Sequence, residues 1–357
     1  MTDDAVLEAL QARCERSLAW HGRRSAADLL DSIDRASAVD RYGEGGVVAE
    51  LESECAAVLG KPAALFFPSG TMAQQITLRV HADRRNNRAI VFHPACHLDR
   101  HEGGAYHRLQ SLIGRPAGDQ HRLLDLDDLR AVAEPIGALV LELPQRDIGG
   151  QQPDLPSLRA QVAWARDRGA AVHLDGARLW ESAAGYGVPA GQVAALFDTV
   201  YVSFYKGLGA LAGCCVAGDE QVIAELREWR QRMGGTVFAL WPYAASALTA
   251  LRERMPRMAD YLRHARAIAA ALKDAERVVV VPDPPHTSMM HLLLRTTPEA
   301  FTAAARELAE QQGIWSWART GATTDPAVQQ VELAVGEATC RFTPAQIRDV
   351  LIRLAGP

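Results

Sequence analysis

Two segments decide how this chain reads: Ala170-Ala-Val-His-Leu-Asp-Gly-Ala-Arg178 and Thr199-Val-Tyr-Val-Ser-Phe-Tyr-Lys-Gly-Leu-Gly209. Each opens on a short apolar run, 170–174 and 199–203. Each run gives out onto a residue suited to chemistry, Asp175 in one and Lys206 in the other. Runs that are apolar throughout, rather than alternating, predict strands covered on both faces, and such strands build mostly parallel sheets. The pattern extends outward. Segments 63–67, 89–92, 138–143 and 214–217 are further apolar runs, with amphipathic helical stretches at 71–82, 155–168 and 220–232. This alternation predicts a large α/β domain over residues 41–245, its mostly parallel sheet covered by helices.

The flanks read differently. Residues 1–40 read as a helical segment, with Ala5, Leu7, Leu10 and Cys14 recurring at helical spacing and a second periodic stretch over 26–38. Arg41-Tyr-Gly-Glu-Gly-Gly46 breaks the rhythm, and 47–59 resumes it. Residues 246–357 carry helical patterns at 243–254, 258–275 and 298–312, strands near 278–281, 289–294 and 329–335, and a last helix from Thr343. That order predicts a smaller C-terminal α+β domain.

Composition narrows the function. The chain has 357 residues, 48% hydrophobic and 23% charged, as in an ordinary globular protein. A net charge of −5 gives no basic surplus for nucleic acid or an anionic membrane. No apolar run approaches a membrane span. The acidic start lacks the basic-then-apolar order of a signal peptide. Six cysteines without a CxxC pair read as reduced thiols, so a cytoplasmic protein is expected, with neither a disulfide frame nor a zinc site.

Four segments carry chemistry, each at a predicted strand end, where parallel sheets bind ligands. Ser69-Gly70-Thr71 begins a helix, and its N–H groups and hydroxyls suit a phosphate, although an ordinary capped helix start looks the same. Asp175 suits a protonated ring nitrogen, and Arg178 suits a two-point grip on a carboxylate; a structural ion pair is the alternative. Lys206 is a rare lysine in a chain whose basic residues are nearly all arginine. A desolvated amine there suits a Schiff base, and a surface turn is the alternative. His97, in His97-Leu-Asp-Arg-His101-Glu-Gly-Gly104, can stack on an aromatic ring or handle a proton; the cluster has metal-like letters but no metal-binding spacing. No GxGxxG follows the first strand and no GxxxxGK[ST] occurs, so a nucleotide is disfavoured. An anion cup, then a strand-end acid, then a strand-end amine are the three groups that pyridoxal phosphate requires.

On these residues the sequence resembles the L-threonine aldolase and β-eliminating lyase family of fold-type I pyridoxal-phosphate enzymes. The matching text is Tyr42-Gly-Glu, Ser69-Gly-Thr-Met-Ala73, His97 with Glu102-Gly-Gly104, Glu142 with Gly149-Gly150, His173-Leu-Asp-Gly-Ala-Arg-Leu179, Asp198-Thr-Val, Ser203 with Lys206-Gly-Leu-Gly209, and Gly234-Gly235. The resemblance implies that Lys206 binds the cofactor aldehyde and Asp175 its ring nitrogen. It implies that Ser69, Gly70 and Thr71 hold the phosphate, helped by Ser203. His97 stacks on the ring and acts as base, and Arg178 binds the substrate carboxylate. The implied reaction splits a β-hydroxy-α-amino acid into glycine and an aldehyde, in a homodimer or homotetramer with sites at the dimer interface. β-Elimination or amino transfer on another amino acid, or a non-catalytic relative keeping the fold, are the alternatives.

Three features depart from the family pattern. Phe238 stands near where the family carries an arginine that reaches a phosphate across the interface. Gln329 and Gln330 precede a strand where a second carboxylate-binding arginine is usual, with Arg319 or Arg295 as substitutes. Tyr205 replaces a serine before the lysine, and Leu143-Pro-Gln-Arg146 replaces a polar run. Loss of one carboxylate grip costs about 1.5–3 kcal/mol, which points to an altered substrate.

Overall fold

A computed structural model of the protein describes residues 3–356, with side chains from residue 7 onward. The chain forms two compact units, residues 28–256 and residues 1–27 with 257–357. The boundaries read from sequence, at 40 and 245, both fall inside the first unit.

The first unit is built on a seven-stranded sheet: β1 (Ala63–Phe67), β2 (Ala89–Phe92), β3 (Ile113–Pro116), β4 (Ala138–Glu142), β5 (Ala171–Gly176), β6 (Thr199–Ser203) and β7 (Cys214–Gly218). The spatial order is β1-β7-β6-β5-β4-β2-β3. β2 pairs in parallel with β3 and β4, and β4, β5 and β6 continue in parallel. β7 alone is reversed, antiparallel to both β1 and β6. The C-terminal ends of the other six strands therefore share one edge, and the start of β7 meets them there.

Burial explains why the apolar runs became strands. β6 and β7 are buried at every position. Leu65, Phe67, Ile76, Val80, Val216 and Leu226 join β1, β7 and the helices Gly70–Arg85 and Glu220–Arg232 in one core. At about 25 cal/mol per Å2 of apolar surface removed from water, each such side chain contributes about 1.5–3 kcal/mol. β3 was not foreseen. It is the edge strand, largely exposed, and its sequence Ile-Gly-Arg-Pro carries no apolar pattern; a proline is tolerated there because an edge strand can leave one N–H side unpaired.

The N-terminal reading is corrected in part. The helix Asp3–Arg13 forms, but residues 14–24 are not helical, and Arg16–Ser17 pairs in parallel with Ile314–Trp315. The stretch expected at 26–38 is helical only over Ala26–Asp31. There the Ser32 hydroxyl donates to the Leu29 carbonyl and the Asp34 carboxylate accepts from the Ala36 N–H, so side chains compete with the helical ladder.

The second unit carries a four-stranded antiparallel sheet, ordered Gly321–Ala322, Val328–Ala334, Met289–Arg295, Val278–Val281. Val328–Ala334 alternates buried and half-buried residues, the period-two pattern of a strand covered on one face. The helices Met258–Ala271, Pro298–Gln312 and Pro344–Ala355 complete the smaller α+β unit. Among the described residues no helix is long and apolar enough to cross a membrane.

Candidate active site

A cavity of about 290 Å3 opens where β1, β5 and β6 end. β1 runs through Pro68 into the helix Gly70–Arg85. Ser69 is extended (φ −140°, ψ 134°) in the cap position, yet its hydroxyl caps nothing. The first N–H groups of a sixteen-residue helix are thus left without a side-chain acceptor. Ser69, Gly70 and Thr71 all line the cavity. A Cβ on Gly70 would overlap the Tyr201 hydroxyl, so only glycine allows this approach.

Asp175 lies at the end of β5, opposite Tyr201 of β6, and is 2% exposed. Its Oδ1 accepts from the Ala177 N–H at 3.1 Å. Its other oxygen has no protein partner, and the residue lines the cavity. Burial pushes this carboxyl above its usual range, while His97 and Lys206 pull the other way. Lys206 lies in the turn after β6 and lines the same cavity. Its Nζ forms neither hydrogen bond nor ion pair; the Tyr205 ring centroid is 5.8 Å away. Burial first, then the Arg178 charge, hold the amine below its usual range, opposed by Asp175. An amine so placed keeps a larger neutral, nucleophilic fraction.

His97 begins a short helix, His97–Arg100, pinned by its own N–H to Glu142 Oε2 at 2.8 Å. Glu142 also accepts from the Arg146 N–H and the Gln145 amide, so the segment Leu143-Pro-Gln-Arg146 folds back on the strand-end acid. His97 Nδ1 lies 3.1 Å from Glu102 Oε1. Burial is the main reason that its pKa falls to about 4, and the imidazole is neutral at pH 7. Glu102, to which the sequence assigned no role, also lines the cavity. The His101 ring sits 5.2 Å from His97, with Nε2 on Asp147 at 2.8 Å.

The remaining expected residues lie deeper. Arg178 is 6% exposed, and it and Ser203 do not line the cavity. Arg178 acts electrostatically on Lys206 and on Glu181, whose carboxyl lies against Gly207. Ser203 is fully buried, and its hydroxyl makes no hydrogen bond of normal geometry. His173 is spent on structure: Nε2 meets Gln74 at 2.6 Å and Nδ1 meets Thr199 at 2.8 Å, and burial pushes its pKa down to about 3. Gln329 is committed to Thr320 and Pro326 within the second unit. Phe238 is exposed and packs edge-on to Tyr42, ring centroids 5.2 Å apart. Tyr201 was missed by sequence reading. Its signal was the strand period, which puts it on the same side of β6 as Ser203 and level with Asp175.

These buried acids fix a pH dependence for the cofactor-free chain. Burial raises Glu102 and Glu181 from about 4.5 to about 7. A raised acid contributes stability that is full below its unfolded value and lost as pH climbs through the folded one. His81, His97 and His173 are lowered, so their opposing effect is complete above the usual 6.5. Between pH 6.5 and 8 these acids, joined by Glu142, which burial raises to about 8, bind protons that the unfolded chain does not, and stability falls. Urea midpoints at the two pH values measure it, and Glu102→Gln shrinks the drop; a midpoint that rises with pH would contradict the assignment.

The chain is similar to known proteins over most of its length. The family model described as beta-eliminating lyase matches residues 36–296. A solved structure from Listeria monocytogenes, provisionally named an L-allo-threonine aldolase, superposes with TM-score 0.92 at 34% identity, covering 98% of each chain. One from Exiguobacterium sp., provisionally named an aromatic amino acid beta-eliminating lyase/threonine aldolase, has TM-score 0.91 at 33% identity, over 98% of this chain and 99% of that one. Low-specificity L-threonine aldolase 1 of Arabidopsis thaliana is 27% identical over 285 residues, 77% of this chain and 79% of its own length.

Proposed function

The chain belongs to the beta-eliminating lyase family, and from that premise we propose that it is a pyridoxal-phosphate-dependent lyase cleaving the Cα–Cβ bond of a β-hydroxy-α-amino acid to glycine and an aldehyde. One observation carries the reading: an unpaired amine, a buried carboxyl with one unpartnered oxygen and an uncapped helix start line a single cavity. These three fit the cofactor's aldehyde, ring nitrogen and phosphate. When bound, the cofactor supplies the electron sink that stabilises a carbanion at the substrate's α-carbon.

The residues do the rest. Lys206 would hold the cofactor's aldehyde end, its unpaired and partly neutral amine being the nucleophile at hand. Asp175 would keep a proton on the ring nitrogen, because a carboxylate in a buried site is stabilised by an adjacent cation. Ser69, Gly70 and Thr71 would receive the phosphate at the positive helix end, with Ser203, buried at the end of β6, as a helper. His97 is neutral at pH 7. With Nδ1–H donated to Glu102, its Nε2 is an acceptor for the proton of the substrate's β-hydroxyl, which must leave as Cα–Cβ breaks. Arg178 is proposed for the α-carboxylate, since its charge already acts at Lys206.

Cofactor-loaded protein incubated with L-threonine and L-allo-threonine tests the proposal by assay of glycine and acetaldehyde. Equal yields of the two products from either isomer support it. A keto acid as product would favour β-elimination or amino transfer, and a protein that takes up no cofactor would favour a non-catalytic relative.

We extend the proposal to a homodimer or homotetramer in the cytoplasm. Val39, Tyr42, Val237 and Phe238 are exposed hydrophobics, and Phe238 and Tyr42 are in ring contact, an apolar face suited to a second copy. All six cysteines are free thiols, which suits a reducing compartment. Light scattering that reads a monomer would remove the oligomer.

A further inference from the structure

We propose that the Tyr201 hydroxyl, assisted by that of Tyr205, donates hydrogen bonds to the cofactor's phosphate in the cup at residues 69–71. This rests on the pyridoxal-phosphate reading above and deepens it. Tyr201 stands on β6 level with Asp175, and its ring reaches the start of the helix Gly70–Arg85, where its hydroxyl takes the space a Gly70 side chain would fill. The residue is 3% exposed and lines the cavity. Within the chain its hydroxyl is joined only to another hydroxyl and a thiol. Beside it are the Tyr205 hydroxyl and the Cys214 thiol, and that thiol is directed to the Phe67 carbonyl at 3.6 Å. A thiol is a weak acceptor, and a phenylalanine would fill the same space with no hydroxyl to satisfy. A charged ligand oxygen at the helix start is the stronger acceptor within reach of this hydroxyl.

Charge makes the hydroxyls necessary. No arginine is among the residues lining the cavity, and its one lysine is committed to the aldehyde end. Among the residues of one protomer that line the cavity, the phosphate end offers neutral donors, the N–H groups of the helix start and the surrounding hydroxyls. Burial raises both tyrosines above their usual range, so both stay protonated and able to donate. Tyr205 is 41% exposed, so it is the weaker contributor.

Titration of cofactor-free protein with pyridoxal phosphate and with pyridoxal tests the assignment without any turnover. Pyridoxal has the same aldehyde and ring nitrogen but no phosphate. Tyr201→Phe is expected to weaken pyridoxal phosphate about ten- to a hundredfold, the worth of a hydrogen bond to a charged acceptor, and to leave pyridoxal within about twofold. Tyr205→Phe is expected to show the same selectivity with a smaller loss. Inorganic phosphate should raise the melting temperature of the cofactor-free wild type more than that of Tyr201→Phe, which also checks that the variant folds. An equal loss for both ligands, or no loss for pyridoxal phosphate, would overturn the role. A wild type that takes up neither compound would overturn it together with the reading beneath it.

Discussion

Replacing Lys206 with alanine is expected to leave no covalently held cofactor and to lower turnover by on the order of 10^4-fold or more, the scale of losing the reacting group itself. The chain makes the experiment unusually clean, because it has only three lysines, at 61, 206 and 273. Lys61 is tied to the Phe197 carbonyl and Lys273 is exposed. Borohydride reduction of the loaded enzyme followed by peptide mass analysis should therefore mark the peptide holding Lys206 and no other. Lys206→Arg keeps the positive charge but cannot form the bond, so it should be as inactive as alanine. Labelling at Lys61 or Lys273, or residual turnover in either variant within about tenfold of wild type, would exclude the covalent role. The physical basis is the setting of the amine: burial and the Arg178 charge both favour its neutral form, and no acceptor in the protein competes for it.

Asp175→Asn is expected to give the second-largest loss, about 10^2–10^4-fold in kcat/KM, with the fold intact. The amide occupies the same volume but carries no charge to keep a proton on the ring nitrogen, and removing one preorganised electrostatic contact costs about 10^2–10^3 by itself. Asp175→Glu keeps the charge but displaces it by about one carbon–carbon bond, which is expected to cost about 10^2-fold. The stability of the cofactor-free protein separates this from a structural role. A carboxylate 2% exposed with no cation bonded to it is a burden on the empty fold. The Asn variant should then melt at or above the wild-type temperature without cofactor, and should gain less when cofactor is added. A variant that melts far lower without cofactor would mean that Asp175 holds the fold together instead.

Much of the site was legible because its residues sit at fixed offsets from strand ends. Asp175 closes β5, Lys206 follows β6 in a glycine-bounded turn, and Ser69 to Thr71 join β1 to its helix. Hydrophobic patterning finds strand ends, and a parallel sheet brings those ends to one edge. Less legible were residues whose place depends on a neighbouring strand. Tyr201 reads as one more apolar letter in Thr199–Ser203, and only its register against Asp175 and its approach to Gly70 turn it toward the cavity. Glu102 lies in a loop, and its distance from His97 follows from Glu142 pinning the His97 N–H. Arg178 shows the opposite case: its spacing from Asp175 was plain, but the start of the helix Leu179–Tyr186 buries it beside Glu181, off the cavity wall.

The amino-acid order by itself determined the large α/β unit, the amine, acid and helix start that line the cavity, and the smaller α+β unit, because these depend on periodicity and on residue types a few positions apart. The tertiary structure alone decided that β7 inserts in reverse between β1 and β6, that an edge strand forms at Ile113–Pro116, and that residues 1–27 group with the C-terminal unit. Those outcomes rest on pairings between segments far apart in the chain, whose free energy comes from surfaces buried together and is written in no local pattern.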